Sequence, residues 1–297
     1  MKELDFYKRG DEELVVALGF FDSIHVGHTE IIKRACCLAN ELNAESAVFT
    51  FSNDVASVIG QSDGLILTYD ERLKKLSKLN VNAVISTVFT KELSTLSPIE
   101  FFNTLTTNYN IKAIVLGRDY RFGYMGSGDV SFMKALCRER NILLEVLDDV
   151  EMDGRRVSTT GIKKLLQCGE IRKANLLLGE SYSISGRVSA GRQVGRQMGF
   201  PTANLLLPPE KAKIKVGVYK THVILDGKNY NCITNYGARP TFDLSEVLTE
   251  TYIDGFSGDL YGQEITVYFE EYLRVCVKFD SVDELIKQLE KDLEKIR

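Results

Sequence analysis

The sequence predicts two domains of different fold class: an α/β domain with a parallel sheet over residues 1–180, and a small antiparallel β-barrel with a C-terminal helix over residues 181–297. Short apolar runs alternate with amphipathic segments in the first half, as in βα units. Strands rich in β-branched and aromatic residues follow one another after residue 180. The length of 297 residues also fits two domains of about 150 residues each.

The first half begins with the apolar run 14–18, which ends at Gly19 and predicts a buried strand. Apolar residues at helical spacing follow over 31–42. The alternation then continues, with strands predicted at 47–51, 83–89 and 112–117 and helices at 68–79 and 97–109. This repetition predicts a parallel sheet that is covered by helices on both faces.

The second half contains strands predicted at 181–190, 217–225, 228–236, 246–253 and 264–275. Asp226-Gly227 separates two of them and suits the type I′ turn of a hairpin. Ser281 and Glu284 form a capping box before an apolar helical pattern that runs to Ile296. The segment 158–179 has a helical pattern, and the domain boundary is predicted just after it, near residue 180.

The composition excludes some classes of function. A net charge of −4 provides no broad basic surface, so binding to nucleic acid is not expected. No apolar run approaches the ~20 residues needed to span a bilayer, and the N-terminus shows no apolar core of a secretion signal. The six cysteines include no C-x-x-C pair and indicate a reducing compartment. We therefore expect a cytoplasmic protein without a membrane partner.

Two of the three histidines lie in His25-Val26-Gly27-His28, just after the first strand of the predicted sheet. Open α/β sheets bind ligands outside the carboxyl ends of their strands. A helix that begins here offers free N–H groups to an anion, and Gly27 lets a phosphate approach the backbone. Two imidazoles can stabilise the charge that develops as pyrophosphate leaves a nucleotide. A chance pair of loop histidines is the alternative, while no further ligands have the spacing of a zinc site.

The segment 19–28 (GFFDSIHVGH) resembles the H-x-G-H signature of the nucleotidyltransferase superfamily, in the form G-x-F-D-G-x-H-x-G-H of FMN adenylyltransferases. The resemblance implies a Rossmann-like domain that transfers AMP from ATP to FMN. It further implies catalytic roles for His25 and His28, and binding of ATP by Phe21, Asp22 and Gly27.

Two later segments extend the resemblance. Residues 117–123 (GRDYRFG) are similar to the family's G-x-D-F-R-F-G, which implies flavin binding by Asp119 and Arg121. Residues 157–163 (VSTTGIK) are similar to its S-S-T-x-I-R, which implies phosphate binding by Ser158, Thr159 and Lys163. An ordinary Ser/Thr helix cap is the alternative for the second segment.

The first half departs from the family pattern at three places. Ser23 replaces a glycine, Lys163 stands where an arginine is expected, and residues 51–54 (FSND) replace a loop that usually contains Pro-His-Pro. The ammonium group of lysine does not reproduce a bidentate guanidinium. These departures leave open a first domain that transfers AMP weakly or not at all.

A glycine- and arginine-rich loop precedes the segment Gly199-Phe200-Pro201-Thr202-Ala203-Asn204. Such a loop can bring backbone N–H groups and guanidinium groups to phosphate oxygens. Thr202 and Asn204 supply neutral oxygens, which suffice for Mg²⁺ because this ion keeps waters and substrate phosphates as ligands. Residues 186–205 closely resemble the riboflavin kinase signature that ends in G-F-P-T-A-N. The resemblance implies phosphate binding by Gly191, Arg192 and Gly199.

The match to riboflavin kinases continues towards the C-terminus. Residues 235–242 (NYGARPTF) look like the family's N-I-G-x-R-P-T-F, and Glu250 stands eight residues before the GDLYG segment, as the family's catalytic glutamate does. This implies that Glu250 is the general base on the ribityl hydroxyl, whereas a solvated strand glutamate is the alternative. It also implies flavin binding by Asn235, Arg239 and Arg274.

The expected function is therefore the phosphorylation of riboflavin to FMN in the second domain, followed by the adenylylation of FMN to FAD in the first. ATP is the co-substrate of both reactions, and Mg²⁺ is the expected metal. Two alternatives remain: a riboflavin kinase whose first domain is vestigial, and a non-catalytic regulator that binds flavin or nucleotide.

Overall fold

The computed structural model describes residues 1–189, 200–238, 247–279 and 281–297. The chain divides into two compact units, Met1–Thr159 and Thr160–Arg297. The α/β class of the first half and the antiparallel class of the second half, which ends in a helix, are both confirmed. The domain boundary near residue 180 stays a prediction.

The first unit alternates strands and helices, as the sequence predicts. Its strands are β1 (Lys2–Asp5), β2 (Glu13–Leu18), β3 (Glu45–Phe51), β4 (Ala83–Thr87), β5 (Asn110–Gly117), β6 (Leu143–Leu147), β7 (Glu151–Met152) and β8 (Arg155–Arg156). Its helices are α1 (Val26–Glu41), α2 (Val55–Val58), α3 (Tyr69–Lys78), α4 (Lys91–Ser94), α5 (Pro98–Asn108) and α6 (Val130–Glu139). Helices α3 and α5 begin with capping boxes at Thr68 and Ser97. In each, the N-cap side chain accepts the backbone N–H of a glutamate three residues later, and that glutamate's side chain accepts the N-cap backbone N–H.

Six parallel strands form the sheet of the first unit, in the order β1-β4-β3-β2-β5-β6. The central strand β2 is buried from Leu14 to Leu18, as expected for a sheet covered on both faces. The chain builds outward from β2 through β3 and β4, then returns to pair β5 with the other side of β2. Strand order reverses between β2 and β5, and the crevice outside their carboxyl ends is the usual ligand site of such sheets.

The second unit begins with a helical hairpin, whose first residue, Thr159, is the last residue of the first unit, and continues as a curved antiparallel sheet. Its helices are α7 (Thr159–Cys168), α8 (Ile171–Leu178) and α9 (Val282–Ile296), and its strands are β9 (Ser183–Arg187), β10 (Thr202–Leu206), β11 (Gly217–Leu225), β12 (Lys228–Ala238), β13 (Val247–Ile253) and β14 (Glu264–Arg274). The order of the strands in this antiparallel sheet is β10-β13-β12-β11-β14-β9. The edge strands approach each other through the bridge Ser189↔Asn204, which leaves a nearly closed barrel.

The hairpin between β11 and β12 confirms the predicted turn. Asp226 and Gly227 have φ of 50° and 77°, the left-handed values that a type I′ turn requires at both central positions. Leu225 pairs with Lys228 directly across this turn. The turn therefore sets the register of β11 and β12.

The two faces of the barrel sheet have different partners. Thr221, Thr234 and Thr251 are fully buried on one face, where their hydroxyls form a chain with distances of 2.7 and 2.9 Å. On the other face, Val218 and Ile233 pack against Leu293 and Ile296 of α9. Helix α9 thus covers the face opposite the threonine chain.

Candidate active sites

The first candidate site lies at the turn that follows β2. Phe21 and Ile24 have φ of 53° and 41°, which is strained for bulky side chains. Two side chains bind the backbone of this turn. The carbonyl oxygen of Phe20 accepts hydrogen bonds from Thr50 Oγ1 at 2.6 Å and from Arg72 Nη1 at 3.0 Å. Hydrogen bonds from β3 and α3 therefore fix the backbone just before the strained residue Phe21.

Asp22 and Phe21, both predicted to bind ATP, also support the turn. Asp22 is buried, and its carboxylate accepts a hydrogen bond of 2.8 Å from the backbone N–H of Ile66. The Phe21 ring lies edge-on to the His28 ring, with centroids 5.2 Å apart. Contact of either side chain with ATP stays a prediction.

His25 and His28 are brought together at the start of α1. His25 is the N-cap residue, and its Nδ1 accepts the backbone N–H of His28 at 3.1 Å. The two rings stack with centroids 3.6 Å apart. Burial lowers the pKa of His25 from 6.5 to about 4, and burial also lowers the pKa of His28 well below 6.5. Both imidazoles are neutral at neutral pH.

Neutrality determines what this pair can do chemically. Because Nδ1 of His25 accepts a hydrogen bond, the ring proton of the neutral form is assigned to Nε2. A neutral imidazole then acts as a hydrogen-bond donor rather than as a cation. His28 Nδ1 is buried and, among the described residues, has no hydrogen-bond partner.

The lowered histidine pKa values predict a loss of stability in mild acid. Between pH 6.5 and about 4 the unfolded chain binds protons that the folded His25 and His28 do not, so the free energy of unfolding falls as the pH falls through this window. Above pH 6.5 the two histidines contribute no pH dependence. Urea unfolding at pH 7.5, 6.0 and 5.0 measures the effect, and a His25→Asn/His28→Asn variant should show a smaller slope. If the free energy of unfolding of that variant depends on pH as steeply as that of the wild type, the lowered pKa values of His25 and His28 do not cause the effect.

The start of the segment predicted to bind phosphate, residues 157–159, lies beside this turn. The Val157 N–H donates to the Val150 carbonyl at 2.9 Å, and a Cβ placed on Gly27 would lie 3.6 Å from the Val150 side chain. Ser23 Oγ and Thr159 Oγ1 are 2.9 Å apart. The structure therefore brings Thr159 next to the His25–His28 turn. Lys163 belongs to the second unit, and its contact with ATP stays a prediction.

Asp119 follows β5, the strand next to β2, and forms an ion pair with Arg156 of the β7–β8 hairpin. Arg156 also lies 3.1 Å from Asp149, and its charge contributes to the lowered pKa of both histidines. No sequence pattern indicates Arg156, because a strand of two residues shows no periodicity. Arg121, the other predicted flavin ligand on this side, is exposed and approaches Asp129 at 4.0 Å.

Arg72 is a second residue that the sequence analysis missed. Its side chain is fully buried, and Nη1 donates to Thr50 Oγ1 at 2.8 Å as well as to Phe20. The guanidinium also lies 4.9 Å from the centre of the Phe20 ring. A charged residue in the pattern of α3 normally indicates a solvated helix face, so the sequence offers no signal for a buried cation.

The side chains of loop 51–54, where the sequence departs from the family pattern, form hydrogen bonds with neighbouring segments. Asn53 exchanges two hydrogen bonds with the backbone of Phe89, at 2.9 and 2.7 Å. Asp54 is buried, caps α2 through the Ala56 N–H and also accepts the hydroxyl of Ser62. The replaced loop is thus fixed by its own polar side chains.

The second candidate site is a row of side chains across the barrel sheet. Asn204 of β10 pairs with Glu250 of β13, and Glu250 pairs with Asn235 of β12. Directly paired side chains lie on the same face, with Cβ atoms about 4.5–5.5 Å apart. The row continues through Val218 to Arg274 of β14. Four predicted site residues from four strands therefore share one row.

Asn204 fits the role of a metal ligand. Its side chain is buried, and its Oδ1 has no hydrogen-bond partner among the residues that the structure describes. Its Nδ2 donates to the Thr202 carbonyl at 3.4 Å. An orphaned amide oxygen costs stability unless a ligand binds it, and a hard cation such as Mg²⁺ prefers such an oxygen. Thr202 is two residues away, on the same face of β10.

A cleft of about 490 Å³ lies beside Thr202. The GDLYG segment forms part of its wall. Its other walls come from the start of β10 and the end of β13, and its lining includes Val188, Pro201, Thr202, Phe256 and Leu260. A largely apolar cleft next to a polar row suits a ligand with a flat ring and a charged tail.

Arg274 and Asn235, the two predicted flavin ligands in the row across the barrel sheet, each form hydrogen bonds with other side chains of the second unit. Arg274 donates to Asp292 of α9, with Nη2–Oδ2 at 2.7 Å and Nε–Oδ2 at 2.9 Å. Asp292 is fully buried, so this pair anchors the C-terminal helix. Asn235 Oδ1 accepts the thiol of Cys276 at 2.9 Å. Flavin binding by Arg274 and Asn235 stays a prediction.

Four predicted ligands lie outside the described residues. They are Gly191, Arg192 and Gly199 in the loop before β10, and Arg239 after β12. The phosphate-binding and flavin-binding roles assigned to them stay predictions.

Comparisons with known proteins assign each half of the chain to a family. Residues 7–161 match the FAD synthetase family and residues 178–297 match the riboflavin kinase family. A bifunctional riboflavin kinase/FMN adenylyltransferase of Listeria monocytogenes is 32% identical, with 95% of this chain and 91% of the relative covered. The chain belongs to the bifunctional riboflavin kinase/FMN adenylyltransferase family. The corresponding Bacillus subtilis enzyme is 30% identical, with 96% of this chain and 92% of the relative covered.

Membership of this family makes the chain an enzyme with an adenylyltransferase domain and a kinase domain that use ATP and flavins. Its fold is similar to the crystal structure of a macrolide-efflux protein from Streptococcus pneumoniae, with a TM-score of 0.90, 30% identity and coverage of 100% of this chain and 99% of the other. None of the described helices has the length and apolar character that crossing a bilayer requires.

Proposed function

We propose that Glu250 and Asn204 carry FMN formation and that His25 and His28 carry FAD formation. The observation that supports the kinase assignment best is the row Asn204–Glu250–Asn235, because it joins the proposed base and the proposed metal ligand on one face. The stacked, neutral histidine pair at the switch point of the parallel sheet supports the adenylyltransferase assignment.

In the kinase reaction, Glu250 accepts the proton of the terminal ribityl hydroxyl of riboflavin as its oxygen bonds to the γ-phosphorus of ATP. The bond from this phosphorus to the bridging oxygen breaks, so ADP leaves and FMN forms. Thr202 and Asn204 would hold Mg²⁺, which neutralises charge on the phosphates when bound. The cleft beside Thr202 would take part of the nucleotide.

In the adenylyltransferase reaction, a phosphate oxygen of FMN bonds to the α-phosphorus of ATP, and the bond to the departing pyrophosphate breaks. His25 and His28 donate hydrogen bonds to phosphate oxygens as negative charge develops on them. The N–H groups at the start of α1 and the hydroxyl of Thr159 bind phosphate oxygens. Arg156 supplies a guanidinium near this pair of histidines.

We also propose that the protein acts in the cytoplasm. Consumption of ATP by both reactions and six cysteines that are all free thiols support a reducing compartment. FAD is the proposed final product, and the net charge of −4 supports the absence of a nucleic-acid partner.

Replacement of Asn204 by alanine tests the metal site. The variant loses the buried Oδ1, so the Mg²⁺ concentration for half-maximal FMN formation should rise by at least ~10-fold. Asn229→Ala, at an exposed position of β12, is the matched control and should leave the Mg²⁺ dependence unchanged. If Asn204→Ala keeps the wild-type Mg²⁺ dependence, Asn204 is not a metal ligand.

A further inference from the structure

The hydroxyl groups of Ser23 and Thr159 are in direct contact across 136 positions of the chain, with the two oxygens 2.9 Å apart. Ser23 is fully buried and lies in the turn between β2 and α1. Thr159 is the first residue of α7, in the segment that resembles the phosphate-binding S-S-T-x-I-R. This bond therefore joins the turn before α1 to the last residue of the first unit, at the start of the second nucleotide motif.

The surroundings of Ser23 leave its side chain little freedom. The two residues that flank Asp22-Ser23, Phe21 and Ile24, have left-handed backbones, whereas Ser23 does not. The Asp22 carbonyl accepts the Leu67 N–H at 3.2 Å, which fixes the backbone next to Ser23. The hydroxyl thus contacts Thr159 from a buried turn whose backbone is hydrogen-bonded to Leu67.

The number of available protons determines which hydroxyl is the donor in this hydrogen bond when ATP is bound. Phosphate oxygens only accept hydrogen bonds, and a threonine hydroxyl carries a single proton. If Thr159 donates that proton to a phosphate oxygen, Ser23 must donate its own proton to Thr159 Oγ1. A chain of hydroxyl donors of this kind strengthens the terminal donor.

We propose that Ser23 is a positioning residue for ATP in the adenylyltransferase site, acting through the hydroxyl of Thr159. The inference rests on the proposed binding of phosphate by Thr159. The motif that the first segment resembles has a glycine where Ser23 stands, and a glycine has no hydroxyl. The contact therefore depends on the serine that this chain carries at position 23.

Two variants of the full-length enzyme remove the hydroxyl. Ser23→Ala and Ser23→Gly should each raise the KM for ATP in FAD synthesis about 3- to 10-fold, the range for one lost hydrogen bond, with kcat changed less than the KM. Ser23→Gly carries the residue of the motif itself, so folding is retained. FMN formation by the kinase domain should be unchanged in both.

Ser46→Ala is the matched control, because it also removes a buried serine hydroxyl of the first unit, one that donates to Asn82 Oδ1 at 2.8 Å. It should leave the KM for ATP unchanged. If Ser46→Ala raises the KM as much as Ser23→Ala does, general loosening of the unit explains the effect and the inference is overturned.

Thr159→Ala separates this inference from the proposed function. It should raise the KM for ATP at least as much as Ser23→Ala, and the double variant Ser23→Ala/Thr159→Ala should show no further rise. If Thr159→Ala has no effect, the role of Thr159 in binding phosphate fails, and the inference fails with it. If Thr159→Ala raises the KM while both Ser23 variants match the wild type, Thr159 keeps its role and Ser23 has none.

Discussion

Replacing Glu250 by glutamine should lower FMN formation by ~10²-fold or more, the usual scale for a lost general base. Glutamine keeps the size of the side chain and its place in the row with Asn204 and Asn235, but its amide cannot take up the ribityl proton. Riboflavin binding should be retained. Steady-state rates with riboflavin, ATP and Mg²⁺, together with riboflavin fluorescence titration, measure the two effects.

Glu210→Gln is the matched control for this variant, since Glu210 is an exposed glutamate of the same unit. It should form FMN at the wild-type rate. Glu250→Gln itself should still convert added FMN to FAD normally. Turnover of riboflavin by Glu250→Gln within a few-fold of wild type would remove Glu250 from the mechanism.

Replacing His28 by alanine should lower FAD formation from FMN by ~10²-fold or more, as when one donor to a developing negative charge is lost. The partly buried imidazole stacks on His25, so its removal also exposes the remaining ring to water. FMN formation from riboflavin should be unchanged. Chromatography of FMN and FAD after incubation with each flavin gives both rates.

A second variant, His28→Asn, distinguishes a loss of catalysis from a loss of structure. His28→Asn keeps a hydrogen-bond donor and should retain more FAD synthesis than His28→Ala, while urea unfolding should be similar for the two. Normal FAD formation by His28→Ala would refute its catalytic role.

The fold was predictable because its signals are local. The apolar run at 14–18 and the Asp226-Gly227 turn each determine an element from neighbouring residues alone, and both are present in the structure. The hairpin β7–β8 was not predicted, since strands of two residues show no alternation. The predicted helix over 31–42 begins earlier, at Val26, because His25 caps it.

The arrangement of the sites was less predictable than their residues. The motifs identified Asn204, Glu250 and Asn235, but their position in one row depends on the register of strands far apart in the chain. The bond of Arg274 to Asp292 is likewise a tertiary contact with α9 that no local pattern indicates. Buried cations such as Arg72 contradict the general rule that charged residues are solvated.

A time course with riboflavin, ATP and Mg²⁺ shows whether two sites on one chain act in sequence. The wild-type protein should form FMN first and FAD after a lag. His28→Ala should accumulate FMN, while Glu250→Gln should form FMN from riboflavin at least ~10²-fold more slowly than the wild type and therefore form FAD equally slowly. Glu250→Gln supplied with FMN should form FAD. Accumulation of FMN by the wild type without any FAD would contradict this account and would indicate a riboflavin kinase with a vestigial first domain.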